Sequence, residues 1–118
     1  MSVGVKDIVW MGSSRKDLRA CPQQVRKGIG YALYAAQRGE TDPAVKPLKG
    51  FGGTQVMEIV ERYRTDTYRA VYAARFDVYV LHVFQKKASI RRATPRQDME
   101  IIRQRLAEAK RDHRGRQN

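Results

Sequence analysis

The chain has 118 residues, 24 of them Lys or Arg against 12 Asp or Glu, giving a formal net charge of +12 and a pI near 10.4. That length allows one modest core but not two; no apolar run reaches about 18 residues and the opening "MSVGVKDIVW" has no signal segment, so a cytosolic protein without a membrane partner is expected. One cysteine, Cys21, and two histidines, His82 and His113, give neither a disulfide nor a zinc spacing, so Cys21 reads as buried filler and no metal or cofactor is expected.

"DIVWMG" reads as a first short strand. "SSRKDLRAC" follows as a helix start, with Ser14 as cap and Asp17 three residues on. Pro22 restarts the helix, and Val25, Ile29, Leu33 and Ala36 fall on one stripe before Gly39, a suitable C-terminal cap. "PAVKPLKGFGG" reads as a loop carrying Lys46 and Lys49 to solvent; it lacks Walker spacing, so nucleotide binding is rejected there. "TQVMEIVERY", "TYRAVYAARF" and "VYVLHVFQKK" are strands separated by turns short enough for an antiparallel meander.

In the last strand Val78, Val80 and Phe84 alternate with Tyr79, Leu81 and Val83, which predicts a central strand covered by helices on both faces. The closing helix takes Thr94 as cap, Pro95 at its first position and Gln97 to complete a capping box. Met99, Ile102, Leu106 and Ala109 form its buried stripe; Arg96, Arg103, Arg105, Lys110 and Arg111 form a solvated face or part of a nucleic-acid surface. The order is strand, two helices, three strands, helix: one α+β domain over residues 1–110, with 111–118 a basic disordered tail.

So strong a positive field attracts a polyanion, nucleic acid foremost, although the ribosome, an anionic surface and an acidic protein stay open as partners. Side chains recur on one face of a strand every second residue, so His82, Phe84 and Lys86 share a face. If Arg69 shares it, Arg69 and Lys86 make a cationic pocket with His82 available for proton transfer. RNA cleavage without a metal needs the 2′-hydroxyl deprotonated, the phosphorane-like transition state stabilised and the 5′-oxygen protonated. Arg and Lys suit the second task, and a lysine whose pKa is lowered by neighbouring cations can serve the first. Each residue also has a plainer use. His82 could be a hydrogen-bonded core residue, Arg69 could pair with Glu58 or Glu61, Lys86 and Lys87 could protect a sheet edge, and Tyr63, Tyr68 and Tyr72 could be packing.

The segments "KPLKGFGG", "VMEI", "DTYRAVY", "YVLHVFQKK" and "ATPRQDMEIIRQRL", in this order from Trp10 to about Ala109, resemble the phage-derived, HigB-like branch of the RelE/ParE toxin superfamily. The resemblance implies a small RelE-like α+β domain: an antiparallel sheet with two N-terminal helices and one C-terminal helix. It implies the toxin of a type II toxin–antitoxin system, a ribosome-dependent endonuclease of messenger RNA, silenced by a cognate antitoxin with a helix-turn-helix domain. ParE-like relatives instead inhibit DNA gyrase, and a basic nucleic-acid-binding module without cleavage is the other alternative. The family's "YR" maps to Tyr68 and Arg69, and its "H-x-F-x-K-K" to His82, Phe84, Lys86 and Lys87. Arg69, His82, Lys86 and Lys87 are thus the expected catalytic residues, and Lys46, Lys49, Arg62, Arg64, Tyr68, Arg91 and Arg92 the expected RNA- or ribosome-binding ones. Many relatives read Glu-Leu-Arg where this chain has Glu58, Ile59 and Val60, which leaves Arg62 or Arg64 as the candidate replacement for the absent arginine.

Overall fold

Five strands order as β1-β5-β4-β3-β2 in a computed structural model that describes residues 5–52, 56–75, 77–86 and 94–116. In chain order the elements are β1 (Ile8–Trp10), α1 (Ser14–Arg19), α2 (Gln23–Gln37), β2 (Val45–Pro47), β3 (Val56–Tyr63), β4 (Asp66–Ala73), β5 (Val78–Lys86) and α3 (Arg96–Arg116). The class is α+β, as expected, with two helices before the meander and one after it. The sheet is mixed rather than purely antiparallel, because β1 runs parallel to β5, Ile8 opposite Val78 and Trp10 opposite Val80. No hairpin joins these two strands: α1, α2 and the β2–β4 segment lie between them in the chain, so no tight turn imposes an antiparallel direction.

Each face of the sheet is covered by a helix. Val25, Ile29, Ala32 and Leu33 of α2 pack on Ile59, Ala70, Tyr72 and Val80, while Ile102, Leu106 and Ala109 of α3 pack on Val56, Val71, Tyr79 and Leu81. Ile29 and Ile102 are fully buried, each worth about 1.5–3 kcal/mol of transfer free energy. β5 therefore lies between two apolar layers, as its composition requires. Its alternation is not strict, however. Val71 lies opposite His82 but Tyr72 opposite Val80, so Leu81 is an extra residue in a β-bulge. Beyond the bulge the phase shifts by one: Val83 joins Val78 and Val80 on the α2 side, and Phe84 joins Tyr79 and Leu81 on the α3 side.

Three local expectations need correction. Part of the expected loop is β2, an edge strand pairing Lys46 with Glu58; Pro47, lacking an amide proton, is tolerated at such an edge. Ser14 does not cap α1: Ser13 precedes the helix and its hydroxyl donates to Asp17 Oδ2 at 2.7 Å, while buried Ser14 donates to the Val80 carbonyl of β5. Residues 111–116, expected in the tail, continue α3, supported by Asp112, which accepts from the Tyr79 hydroxyl at 2.9 Å and pairs with Arg116 one turn on.

Cys21 is half-buried against the α2-side core rather than fully buried as expected, and loss of water pushes its thiol pKa up, away from reactivity. Among the described residues no helix is long and apolar enough to cross a membrane.

α2 carries two interior glycines of opposite character. A Cβ on Gly30 would meet nothing within 4 Å, whereas one on Gly28 would lie 2.4 Å from the Glu61 carboxylate. Gly30→Ala is accordingly expected to stabilise the fold by about 0.5–1 kcal/mol through helix propensity, read as a rise in thermal midpoint by circular dichroism. A lowered midpoint would mean that something occupies that space.

Candidate functional site

Antiparallel pairing places directly opposed residues on one face, so the β2–β5 register builds three rows on the side where α3 packs. Nearest the β3–β4 turn stand Arg62, Thr67 and Lys86; next come Val60, Arg69 and Phe84; the third row is Lys46, Glu58, Val71 and His82. Arg69, His82 and Lys86 thus do share a face, the bulge at Leu81 notwithstanding. Lys46 and Arg69 contact one carboxylate of these rows, Glu58, whose charge also reaches Lys86, while Arg62 stands two rows away towards the turn.

Arg69 and Glu58 are both buried, at 8% and 1% exposure, and Arg69 Nη1 donates to Glu58 Oε2 at 2.8 Å. Exposed Lys46 reaches the other carboxylate oxygen at 3.8 Å. Arg69 Nε is buried with no hydrogen-bond partner among the described residues, and an orphaned buried donor of this kind costs about 1–3 kcal/mol until something accepts from it. Lys86, half-buried at the end of β5, has its pKa lowered first by loss of water and then by the Arg69 and Lys46 cations, with Glu58 opposing. That is the direction a lysine must move to act as a base near neutrality.

His82 is 7% exposed and stacked on Phe84, ring centroids 4.8 Å apart. Its Nε2 lies 2.7 Å from Asp98 Oδ1, and its Nδ1 lies 3.4 Å from Arg105 Nη1. Arginine can only donate, so Nδ1 accepts, and in the neutral ring the proton sits on Nε2 and is donated to Asp98. Both ring nitrogens are engaged: in this arrangement His82 ties α3 to β5, and proton transfer to a substrate requires the Asp98 contact to open.

Arg105 is not on a solvated face either. It donates to the Leu81 carbonyl at 3.0 Å and to Ser13 Oγ at 3.2 Å, passing over Gly12, whose φ of +53° and lack of a Cβ permit the approach.

The remaining candidates scatter. Arg62 is exposed on the site face, whereas Arg64 sits in the turn at φ +57° with its guanidinium 5.4 Å over the Tyr63 ring; Arg62 is therefore the arginine nearer the position left by Val60. Tyr68 packs against the α2-side core, so the adjacent Tyr68 and Arg69 project to opposite faces. Lys49 is exposed in the loop after β2. Lys87, Arg91 and Arg92 lie outside the described residues.

Sequence reasoning puts Arg105 on the outer face of α3 and does not single out Asp98, though a signal for their bracing role was there. Asp98, Ile102 and Arg105 recur at i, i+4 and i+7, which puts both polar residues beside the buried stripe of α3 and within reach of a strand histidine that needs a partner.

No curated protein and no solved structure matches the chain. A family model described as "Phage derived protein Gp49-like (DUF891)" matches residues 16–107. The matched span takes in all three rows of the site face and the Asp98 and Arg105 positions that brace it, and the chain belongs to this phage-derived Gp49-like family, a RelE/toxin-like family.

Proposed function

We propose that the chain is a HigB-like toxin of a type II toxin–antitoxin system, a metal-independent endoribonuclease that cleaves messenger RNA on the ribosome and stops translation. The observation that carries this reading is the set of cations spread over three rows of one sheet face, Lys46, Arg62, Arg69 and Lys86, with the Lys86 pKa lowered. A phosphate entering beside Arg69 gains the unsatisfied Nε donor once the side chain turns outward from its buried position, and preorganised cations aimed at developing charge stabilise a phosphorane-like state by several kcal/mol. Neutral Lys86 takes the 2′-hydroxyl proton, the 2′-oxygen bonds to phosphorus, and the bond to the 5′-oxygen breaks, leaving a cyclic phosphate and a 5′-hydroxyl. Lys87 or His82 returns the proton to the leaving oxygen, His82 after releasing Asp98. Lys46 and Arg62 hold the flanking backbone by charge. A cognate antitoxin carrying a helix-turn-helix domain keeps the activity silent by covering this face.

The engagement of Arg69 by Glu58 and of both His82 nitrogens favours a second reading, a ParE-like inhibitor of DNA gyrase that binds without cleaving. Expression of the chain without its partner separates the two. Growth arrest with transcripts cut at discrete positions, mapped by primer extension, is expected. Intact transcripts with induced DNA-damage signalling would favour the gyrase reading, and normal growth at high soluble levels would sink both.

A further inference from the structure

On the opposite side of the sheet from the cation rows, α2 and β3 border an open cleft of about 480 Å³ lined by Tyr31, Tyr34, Arg38, Glu40, Asp42 and Glu61. Its charge runs against that of the molecule. A chain of net charge +12 places three carboxylates and one guanidinium here.

Tyr31 and Tyr34 stand 70% and 53% exposed on the α2 stripe opposite the core, large aromatic surfaces with no packing role that explains them. The cleft already shows what such a combination holds. Arg38 rests 5.6 Å over the Tyr34 ring and 3.4 Å from Glu40, so ring and carboxylate together seat a guanidinium.

Glu61 has no such cation. It has no hydrogen-bond or ion-pair partner among the described residues, and burial together with Asp42 pushes its carboxyl pKa above the ordinary value. It can lie against α2 only because Gly28 has no side chain there.

We propose that this cleft is a docking site for a partner polypeptide, which seats an arginine side chain against Glu61 and Asp42 while apolar neighbours of that arginine cover the Tyr31 and Tyr34 rings. Charge complementarity selects this occupant: a nucleic acid would be repelled by the carboxylates, and an acidic segment equally so. The site does not depend on the nuclease reading, since it shares no residue with the cation rows. A partner held here leaves the Lys86 face open, so anchoring and inhibition are separable.

The test is a titration of the isotope-labelled protein with acetyl-Leu-Arg-Leu-amide, followed by amide chemical shifts, beside the same peptide with citrulline in place of arginine. Citrulline keeps the shape and removes the charge. Shifts confined to Tyr31, Tyr34, Asp42 and Glu61 and their neighbours are expected, with the citrulline peptide and the Glu61→Gln protein each binding about tenfold more weakly. Gly28→Ala, which pushes the Glu61 carboxylate out, should weaken binding in the same way, with circular dichroism as the folding control. Equal binding of the two peptides, no binding of either, unchanged affinity in Glu61→Gln, or shifts mapping to the Lys86 face would each overturn the proposal. So would self-association of the protein that is lost in Tyr34→Ala, since the occupant would then be a second copy.

Discussion

Arg69→Ala is expected to lower the stability of the fold by about 3–5 kcal/mol, the cost of leaving a buried charge without its partner. Glu58 is 1% exposed and its shortest ion pair, 2.8 Å, is to Arg69. The remaining contact, to Lys46 at 3.8 Å, comes from a side chain 62% exposed and replaces little of what is lost, because solvent-exposed cations interact weakly. Small domains are stable by about 5–15 kcal/mol in total, so the variant should show a markedly lower urea midpoint at unchanged slope. Replacing both partners with apolar residues of similar volume, Glu58→Leu with Arg69→Met, should recover much of the loss, since no unpaired charge is then left in the core. A shift below about 1 kcal/mol in the single variant would mean that the carboxylate is hydrated, as at a surface pair. The consequence for function is direct. Arg69, expected from sequence as a catalytic residue, also holds the fold through its buried pair with Glu58, and lost toxicity in Arg69→Ala is no evidence about chemistry.

Much of this architecture was legible in the residues, and the parts that were not have identifiable causes. The α2 and α3 stripes and the three meander strands follow from periodicity, and Val25, Ile29, Ile102 and Leu106 are buried where that periodicity puts them. The shared face of Arg69, His82 and Lys86 also followed, because period two survives on either side of a bulge. What failed was whatever depends on pairing between distant segments. β2 is three residues long and exists only because Lys46 and its neighbours find the edge of β3; nothing local to "VKP" marks it. The parallel partner of β5 could not be read from β1 itself, nor the bulge from "VYVLHVF", since both arise from register. The same holds for charge. The sequence offers Arg69 either Glu58 or Glu61, and only the alternation of β3 decides that Glu58 faces it while Glu61 turns to α2.

Because Arg69 is structural as well as cationic, the chemistry has to be read at Lys86, and Lys86→Gln is expected to lower transcript cleavage about a hundredfold or more, on the order of 3 kcal/mol of transition-state stabilisation. Fold stability should not fall with it. The Lys86 ammonium is desolvated and repelled by Arg69 and Lys46, so its pKa is lower in the folded chain than in the unfolded one. Below the folded value both states carry the proton and the folded state bears the cost; as pH rises through that value the folded state releases the proton first and gains stability. The parent should therefore gain stability relative to Lys86→Gln between the lowered pKa and the ordinary lysine value, a difference readable from urea midpoints across the alkaline range. The same titration separates two chemical roles. If neutral Lys86 is the base, cleavage by the parent climbs as pH passes the lowered pKa, and Lys86→Arg, which cannot lose its proton, is as inactive as Lys86→Gln. If the ammonium is a transition-state cation, cleavage declines over that interval and Lys86→Arg retains most of it. Lys110→Ala and Arg111→Ala, on the exposed side of α3, serve as matched removals of diffuse charge and should change cleavage far less. Parent-like cutting by a folded Lys86→Gln would end the assignment, and the lysine at the end of β5 would then be protection for the sheet rather than part of a site.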